Sequence, residues 1–223
     1  MKIGILGSGV VGQVIGQKVA ELGHDVMIGT RDPANLGEPR GWAPSLGAWL
    51  ADTNGRGRVG TFAQAAAYGE LLVNATNGLA SLDALRQAGA QPLGNKVMLD
   101  LANELDVSRG MPPRSLATDD RSLAEEIQAA FPDVRVVKSL NTMNANVMVD
   151  PRALAGGDHT VFLSGNDAEA KAQVAELLRA FGWTDIFDLG DLGSARGVEM
   201  LLPLWLRVWG GLGNVPFNFK IVR

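Results

Sequence analysis

The sequence predicts an α/β fold: a doubly wound parallel sheet with a small C-terminal helical cap. Two observations predict it. Short apolar runs alternate with helical patterns along most of the chain, the pattern of a parallel sheet covered on both faces. A glycine-rich turn, Gly7-Ser8-Gly9-Val10-Val11-Gly12, stands directly between the first apolar run and the first helix.

Lys2 to Leu6 reads as the first strand, and Val10 to Leu22 as a helix with Val11, Val14, Ile15, Val19 and Leu22 at helical spacing. Gly23 ends that helix and His24 to Gly29 reads as the second strand, which completes a strand–helix–strand unit. Asp32 to Arg58, rich in Gly and Pro, reads as irregular surface with a short helix around Ser45 to Ala51. Arg58 to Thr61 is a short third strand, Phe62 to Tyr68 a short helix and Leu71 to Ala75 a fourth strand. Ser81 to Ala88 reads as a helix capped by Ser81, and Lys96 to Leu101 as a fifth strand. Arg121 to Phe131 is helical and Val134 to Leu140 a sixth strand. His159 to Ser164, Asp167 to Phe181 and Asp185 to Leu189 read as strand, helix and strand, and a final helical pattern covers Ser194 to Gly210. Gly110-Met111-Pro112-Pro113 is a loop, since strand patterns continue on both sides.

The glycine spacing, placed between strand and helix, is the Rossmann-type NAD(P)-binding fingerprint. Gly7 permits the tight turn, Gly9 lets a pyrophosphate approach the backbone, and Gly12 brings the helix close to the strand. The helix N-terminus then offers N–H groups and a positive dipole end to the anion. Where an NAD-selective site places a carboxylate, this chain has Gly29-Thr30-Arg31-Asp32. Thr30 and Arg31 suit a 2′-phosphate and point to NADP, with Asp32 left as a possible ribose ligand. Residues 1–150 then form the dinucleotide-binding domain, and 151–223 a small extension that packs on the same sheet and closes the crevice.

The fourth, fifth and sixth strands end in Asn74-Ala75-Thr76-Asn77-Gly78, Asp100-Leu101-Ala102-Asn103 and Ser139-Leu140-Asn141-Thr142-Met143-Asn144. In a doubly wound sheet those ends line one crevice, and their small polar residues suit ribose and carboxamide groups. Groups able to carry acid–base work are few. The 223 residues include no cysteine and two histidines, which excludes disulfides, thiolate nucleophiles and sulfur-built metal sites. His24 lies on the end of the sheet away from the glycine turn and His159 begins a late strand. Neither suggests a metal, and we name no catalytic side chain. A net charge of -4 argues against a nucleic-acid partner. The apolar run from Met200 to Trp209 is shorter than a bilayer span and carries Arg207, so it reads as a buried helix or subunit contact. The expected location is the cytoplasm and the expected assembly a homodimer.

The glycine turn, Leu22-Gly23-His24-Asp25-Val26-Met27-Ile28-Gly29-Thr30-Arg31, the run Ser139 to Asn144 and the ending Leu212 to Lys220 resemble the NADP oxidoreductases dependent on coenzyme F-420. The chain is also similar to the cytoplasmic part of the metalloreductases of the six-transmembrane epithelial antigen family, which use NADPH and a flavin. The resemblance implies hydride transfer between NADPH and 8-hydroxy-5-deazaflavin, which needs proximity more than a protein acid. It implies that Ser8, Val10 and Val11 meet the pyrophosphate, Thr30 and Arg31 the 2′-phosphate, and Thr76, Asn77 and Asn103 the nicotinamide. Met143 to Ala145 and the helix near Leu201 and Leu202 would close on the second ring. Archaeal members carry Pro-Trp-Glu-His where this chain has Asn77-Gly78-Leu79-Ala80. That departure falls in the nicotinamide half; separately, an ordinary flavin, a quinone or another small acceptor is the alternative to the deazaflavin. The rival readings are a small imine or carbonyl reductase using Lys138, Asp100 or His159 for proton delivery, and an NADP-binding sensor without turnover.

Overall fold

The computed structural model describes residues 1–40 and 43–222; residues 41 and 42, inside the segment expected to be irregular, and residue 223 lie outside the description. An eight-stranded sheet forms the centre. Its strands are β1 (Lys2–Leu6), β2 (Asp25–Gly29), β3 (Gly57–Gly60), β4 (Leu71–Asn74), β5 (Val97–Asp100), β6 (Arg135–Ser139), β7 (Thr160–Gly165) and β8 (Asp185–Asp188). They lie in the order β8-β7-β6-β5-β4-β1-β2-β3. β1 to β6 are mutually parallel, whereas β7 runs antiparallel to β6 and β8 follows β7. The order of the first six is that of a doubly wound dinucleotide fold, with its switch point between β1 and β4.

Among the described residues the α-helices are α1 (Val10–Glu21), α2 (Leu46–Asp52), α3 (Phe62–Tyr68), α4 (Gly78–Ala88), α5 (Ala90–Leu93), α6 (Leu123–Ala130), α7 (Ala145–Val149), α8 (Ala168–Phe181), α9 (Ala195–Met200) and α10 (Leu202–Gly211). One core joins Ile3, Ile5, Val73, Leu99 and Val137 of the sheet to residues of α1, α2, α7 and α8. A second joins Leu6, Leu72, Met98 and Val136 on the opposite face to residues of α3, α4 and α6. Burial on both faces is the reason the strands read as unbroken apolar runs. Two short antiparallel strand pairs, 39–40 with 43–45 and 105–106 with 114–115, interrupt segments expected to be irregular or loop.

Three expectations need correcting. Leu22 is exposed and Val14 only half-buried, so the buried face of α1 is turned toward Gly12, Gln13, Ile15, Gly16 and Val19. The small residues explain the turn: a Cβ at Gly16 would press on the Trp49 ring and Ile5, so hydrophobic spacing alone misplaces the packing face. Ser81 does not cap α4. Asn77 does, its side chain accepting from the Leu79 N–H at 3.1 Å, and the helix begins three residues earlier than expected. Ser81 is fully buried inside the helix, its hydroxyl turned toward Asn74 and Thr76. The final helical pattern is likewise two helices, α9 and α10, with Pro203 in the first turn of the second.

Candidate functional site: a dinucleotide cleft

The turn after β1 shows why glycine is used. Gly7 has φ +117°, a conformation in the region that L side chains avoid, and a Cβ there would overlap the Ala75 carbonyl at the end of β4. A Cβ on Gly12 would overlap the Gly7 carbonyl oxygen, so the first turn of α1 lies directly on the loop. Gly9 is different. It is exposed, with nothing within 4 Å of a Cβ built on it, and as N-cap of α1 it provides no side-chain hydrogen bond. The first-turn N–H groups of α1, from Val10, Val11 and Gly12, have no partner within the helix and stand at its positive end beside Gly9, although these three residues lie outside the cleft lining.

The loop is held from behind. Gln13, buried in α1, donates from Nε2 to the Ser8 and Pro44 carbonyls, both at 3.0 Å, and the Trp49 indole donates to the Gln13 carbonyl at 3.0 Å. At the end of β2 the Gly7 N–H donates to the Gly29 carbonyl at 3.0 Å, and the Ser8 hydroxyl donates to Thr30 Oγ1 at 3.3 Å. Thr30 is buried and Arg31 beside it is exposed. Asp32 accepts from the Ala34 N–H at 3.3 Å, a local turn that engages the carboxylate the sequence offered as a ribose ligand.

A cleft of about 350 Å³ opens here, lined by Gly7, Ser8, Gly9, Thr30, Arg31, Thr76 and Asn77 among the expected residues. Ala75, at the expected end of β4, Phe62 from α3, and Ala80, Asp83, Ala84 and Gln87 from α4 complete the lining; the α3 and α4 residues were not foreseen. The signal for them was weak: each sits on a helix that follows a strand, and which face of that helix meets the cleft depends on packing. The residues present fit a dinucleotide. The glycine turn leaves room at Gly9, the N-terminus of α1 lies beside it, and Arg31 presents an exposed guanidinium at the end of β2.

The nicotinamide half departs further from expectation. Thr76 lines the cleft, but its hydroxyl is drawn inward, donating to Asn74 Oδ1 at 2.7 Å. Asn103 lies outside the cleft lining, its amide reciprocally bonded to Asn141: Nδ2 to the Asn141 carbonyl at 2.8 Å, and Oδ1 accepting from Asn141 Nδ2 at 3.0 Å. Met143 is buried in the core against the α1 side of the sheet, and Leu202 is buried with Trp205 and Leu206. These are apolar packing partners, a role indistinguishable in sequence from a ring platform.

The groups offered for proton delivery are also placed. His159 is buried, its Nε2 donating to the Pro151 carbonyl at 2.9 Å and its Nδ1 meeting the Asn218 amide at 2.8 Å, with the ring edge-on to Trp183. His24 stands beside the N-terminal amino group at 3.3 Å, and burial followed by nearby positive charge holds its imidazole pKa below the ordinary value. Lys138 and Asp100 are fully buried and paired at 2.9 Å. Glu199, which sequence reasoning missed, pairs with Lys138 at 2.9 Å. A single carboxylate inside the apolar run Val198 to Leu202 was the available signal. Among the described residues no group of three or more His, Asp or Glu could hold a metal, and no helix is long and apolar enough to cross a membrane.

A doubly wound sheet with an open glycine cradle at its switch point defines a dinucleotide-binding protein of the NADP oxidoreductase class. Comparison with known proteins is more specific: the chain belongs to the coenzyme F420-dependent NADP oxidoreductase family, whose profile matches residues 2–104. A crystal structure from Arthrobacter sp. FB24, provisionally described as an F420-dependent NADP-reductase, is 53% identical, covers 100% of both chains and superposes with a TM-score of 0.94. Among curated proteins, rat Metalloreductase STEAP3 is 31% identical over 211 residues, which is 92% of this chain and 38% of that protein. The chain thus spans about two fifths of the length of that relative. An imine reductase from Streptomyces aurantiacus, 16% identical with a TM-score of 0.61, shares the fold; the match covers 95% of this chain and 63% of that one.

Proposed function

We propose that this chain passes a hydride between NADPH and a deazaflavin of the coenzyme F-420 type, with an ordinary flavin as the alternative acceptor. One observation carries the reading within the family. Lys138, Asp100 and His159, the groups a carbonyl or imine reductase would use for proton delivery, are buried and bonded to protein partners. Hydride exchange between two rings asks the protein to hold them in contact; the proton that completes the reduced acceptor comes from solvent, so no buried side chain has to donate it.

The chain's own residues then divide the work. Gly9 and the first-turn amides of α1 hold the pyrophosphate, Arg31 with Thr30 selects the 2′-phosphate, and Gln13 keeps the Ser8 carbonyl and the loop from moving. Thr76 and Asn77 border the inner end of the cleft. When bound, NADPH supplies the hydride. Exposed Leu204, Leu212 and Val215, close in sequence to a groove lined by Met111, Leu206 and Trp209, support a homodimer through α10 and the segment after it.

The test mixes purified protein and NADPH with the deazaflavin, then with FMN or FAD, while absorbance is followed. Deazaflavin reduction matched mole for mole by NADPH oxidation is expected. NADPH binding without oxidation by any of these acceptors would reject hydride transfer and favour a sensor. Sedimentation that finds only monomer at working concentration would reject the dimer.

A further inference from the structure

Asn74, Asp100 and Lys138 stand abreast near the carboxyl ends of β4, β5 and β6, because the register pairs Asn74 with Asp100 and Asp100 with Lys138. Their side chains join in one line. From Thr76 at the cleft the line passes through Asn74, whose Nδ2 donates to Asp100 Oδ1 at 2.8 Å. Lys138 Nζ donates to Asp100 Oδ2 at 2.9 Å and to the Ala102 carbonyl, and it pairs with Glu199 Oε1 at 2.9 Å. Glu199 in turn accepts the Leu123 N–H at 2.8 Å and the Ala124 N–H at 3.2 Å, first-turn donors of α6.

Both carboxylates and the ammonium are withdrawn from water. Burial pulls the Lys138 pKa down, yet the charges of Asp100 and Glu199 outweigh it and hold the pKa above its ordinary value. The N-terminus of α6 meets the Glu199 end of the cluster. Such clusters are poor sources of net stability, and their effect is to fix one geometry.

A second tie lands beside the first. Leu140 is buried with φ +61°, an unfavourable conformation for a residue with a side chain. The bend it makes after β6 delivers Asn141, which bonds reciprocally with Asn103 and donates from Nδ2 to the Val198 carbonyl at 3.1 Å. Two independent ties from the end of β6 therefore meet consecutive residues of α9, Val198 and Glu199.

We propose that Lys138 and Asn141 are positioning residues that fix α9, and α10 beyond it, against the carboxyl edge of the sheet, setting the wall met by the hydride acceptor. The acceptor part rests on the hydride-transfer reading; the tie to α9 does not.

Glu199→Gln tests it. All three partners of this carboxylate are donors, so an amide must aim its NH₂ at one of them, while Lys138 keeps Asp100 and the sheet keeps its charge pair. Hydrogen exchange in residues 195–211 is expected to accelerate by about tenfold or more, with residues 2–29 unchanged. NADPH affinity should stay within about twofold while the acceptor KM rises by about tenfold. Unchanged exchange in 195–211, or NADPH affinity falling in step with acceptor binding, would overturn the proposal. Loosened α9 with an unchanged acceptor KM would overturn the acceptor wall. Lys138→Met strands two buried carboxylates and is expected to unfold the protein more readily than Glu199→Gln; equal tolerance would also count against it. If the unmodified protein oxidises NADPH with none of the acceptors, the hydride-transfer reading fails, and the exchange contrast still decides the tie.

Discussion

Gly9 and Arg31 separate binding from folding. Gly9 has φ -76° and open space around its missing side chain, so Gly9→Ala is expected to fold with stability within about 0.5 kcal/mol of the parent. The added methyl enters the phosphate cradle, and NADPH affinity, read by calorimetry, should fall at least about tenfold. A normal affinity would show that the cofactor does not cross this turn. Arg31→Ala should weaken NADPH by about 10- to 100-fold, as expected for charge-assisted hydrogen bonds, and leave NADH nearly unaffected. Equal losses for both would remove Arg31 from the 2′-phosphate. Their place at the cleft was legible because it is set by backbone geometry and by position next to a strand end. Met143 and Asn103 were not. A buried methionine and a ring-stacking one look alike in sequence, and nothing local reveals that the Asn103 amide is taken by Asn141, 38 positions away.

At the scale of elements, strand and helix order was legible because apolar runs and helical spacing recur with clear breaks. Phe62–Tyr68 matches its expected span, helped by Thr61 and Gln64, which form a reciprocal capping box. The cap of α4 was misread because Asn77-Gly78 also makes a turn; the helix is drawn back to Gly78 by its close approach to the Asn103 carbonyl. The attachment of α9 to α6 was invisible from sequence. It includes a bidentate contact of Arg196 with Glu125, at 2.8 and 2.6 Å. The hydrogen bonds from Arg196 hold the Glu125 carboxyl below the usual carboxylate range despite its partial burial. A carboxyl pKa depressed by folding contributes stability above its unfolded value, lost as pH falls through the folded one. Protection of α9 against exchange should therefore decline as pH drops below about 4.3, and Glu125→Gln should remove that decline with a modest loss of protection at neutral pH. An unchanged acid profile in the variant would assign the decline to other groups.

Over the whole molecule, the sheet sets His159 apart from the cleft, since β7 is five strands from β2 in the strand order. His159→Ala is expected to cost about 2–4 kcal/mol in denaturant unfolding, through a cavity beside Trp183 and the loss of the hydrogen bonds to the Pro151 carbonyl and the Asn218 amide. NADPH affinity should be unchanged. A binding loss with normal stability would return His159 to the site. By itself the sequence determined the fold class, the strand order along the chain and the glycine turn and strand-end residues, Gly7 to Gly9, Thr30 and Arg31, that line the cleft. Those depend on local periodicity and on glycines whose backbone requirement is written at their own positions. Only the tertiary structure decided which polar residues at the strand ends face the cleft and which face one another. Asn74, Asp100, Lys138 and Glu199 are brought together by register and by the return of α9, and the low polarity of the interior makes their pairing obligatory once they are buried.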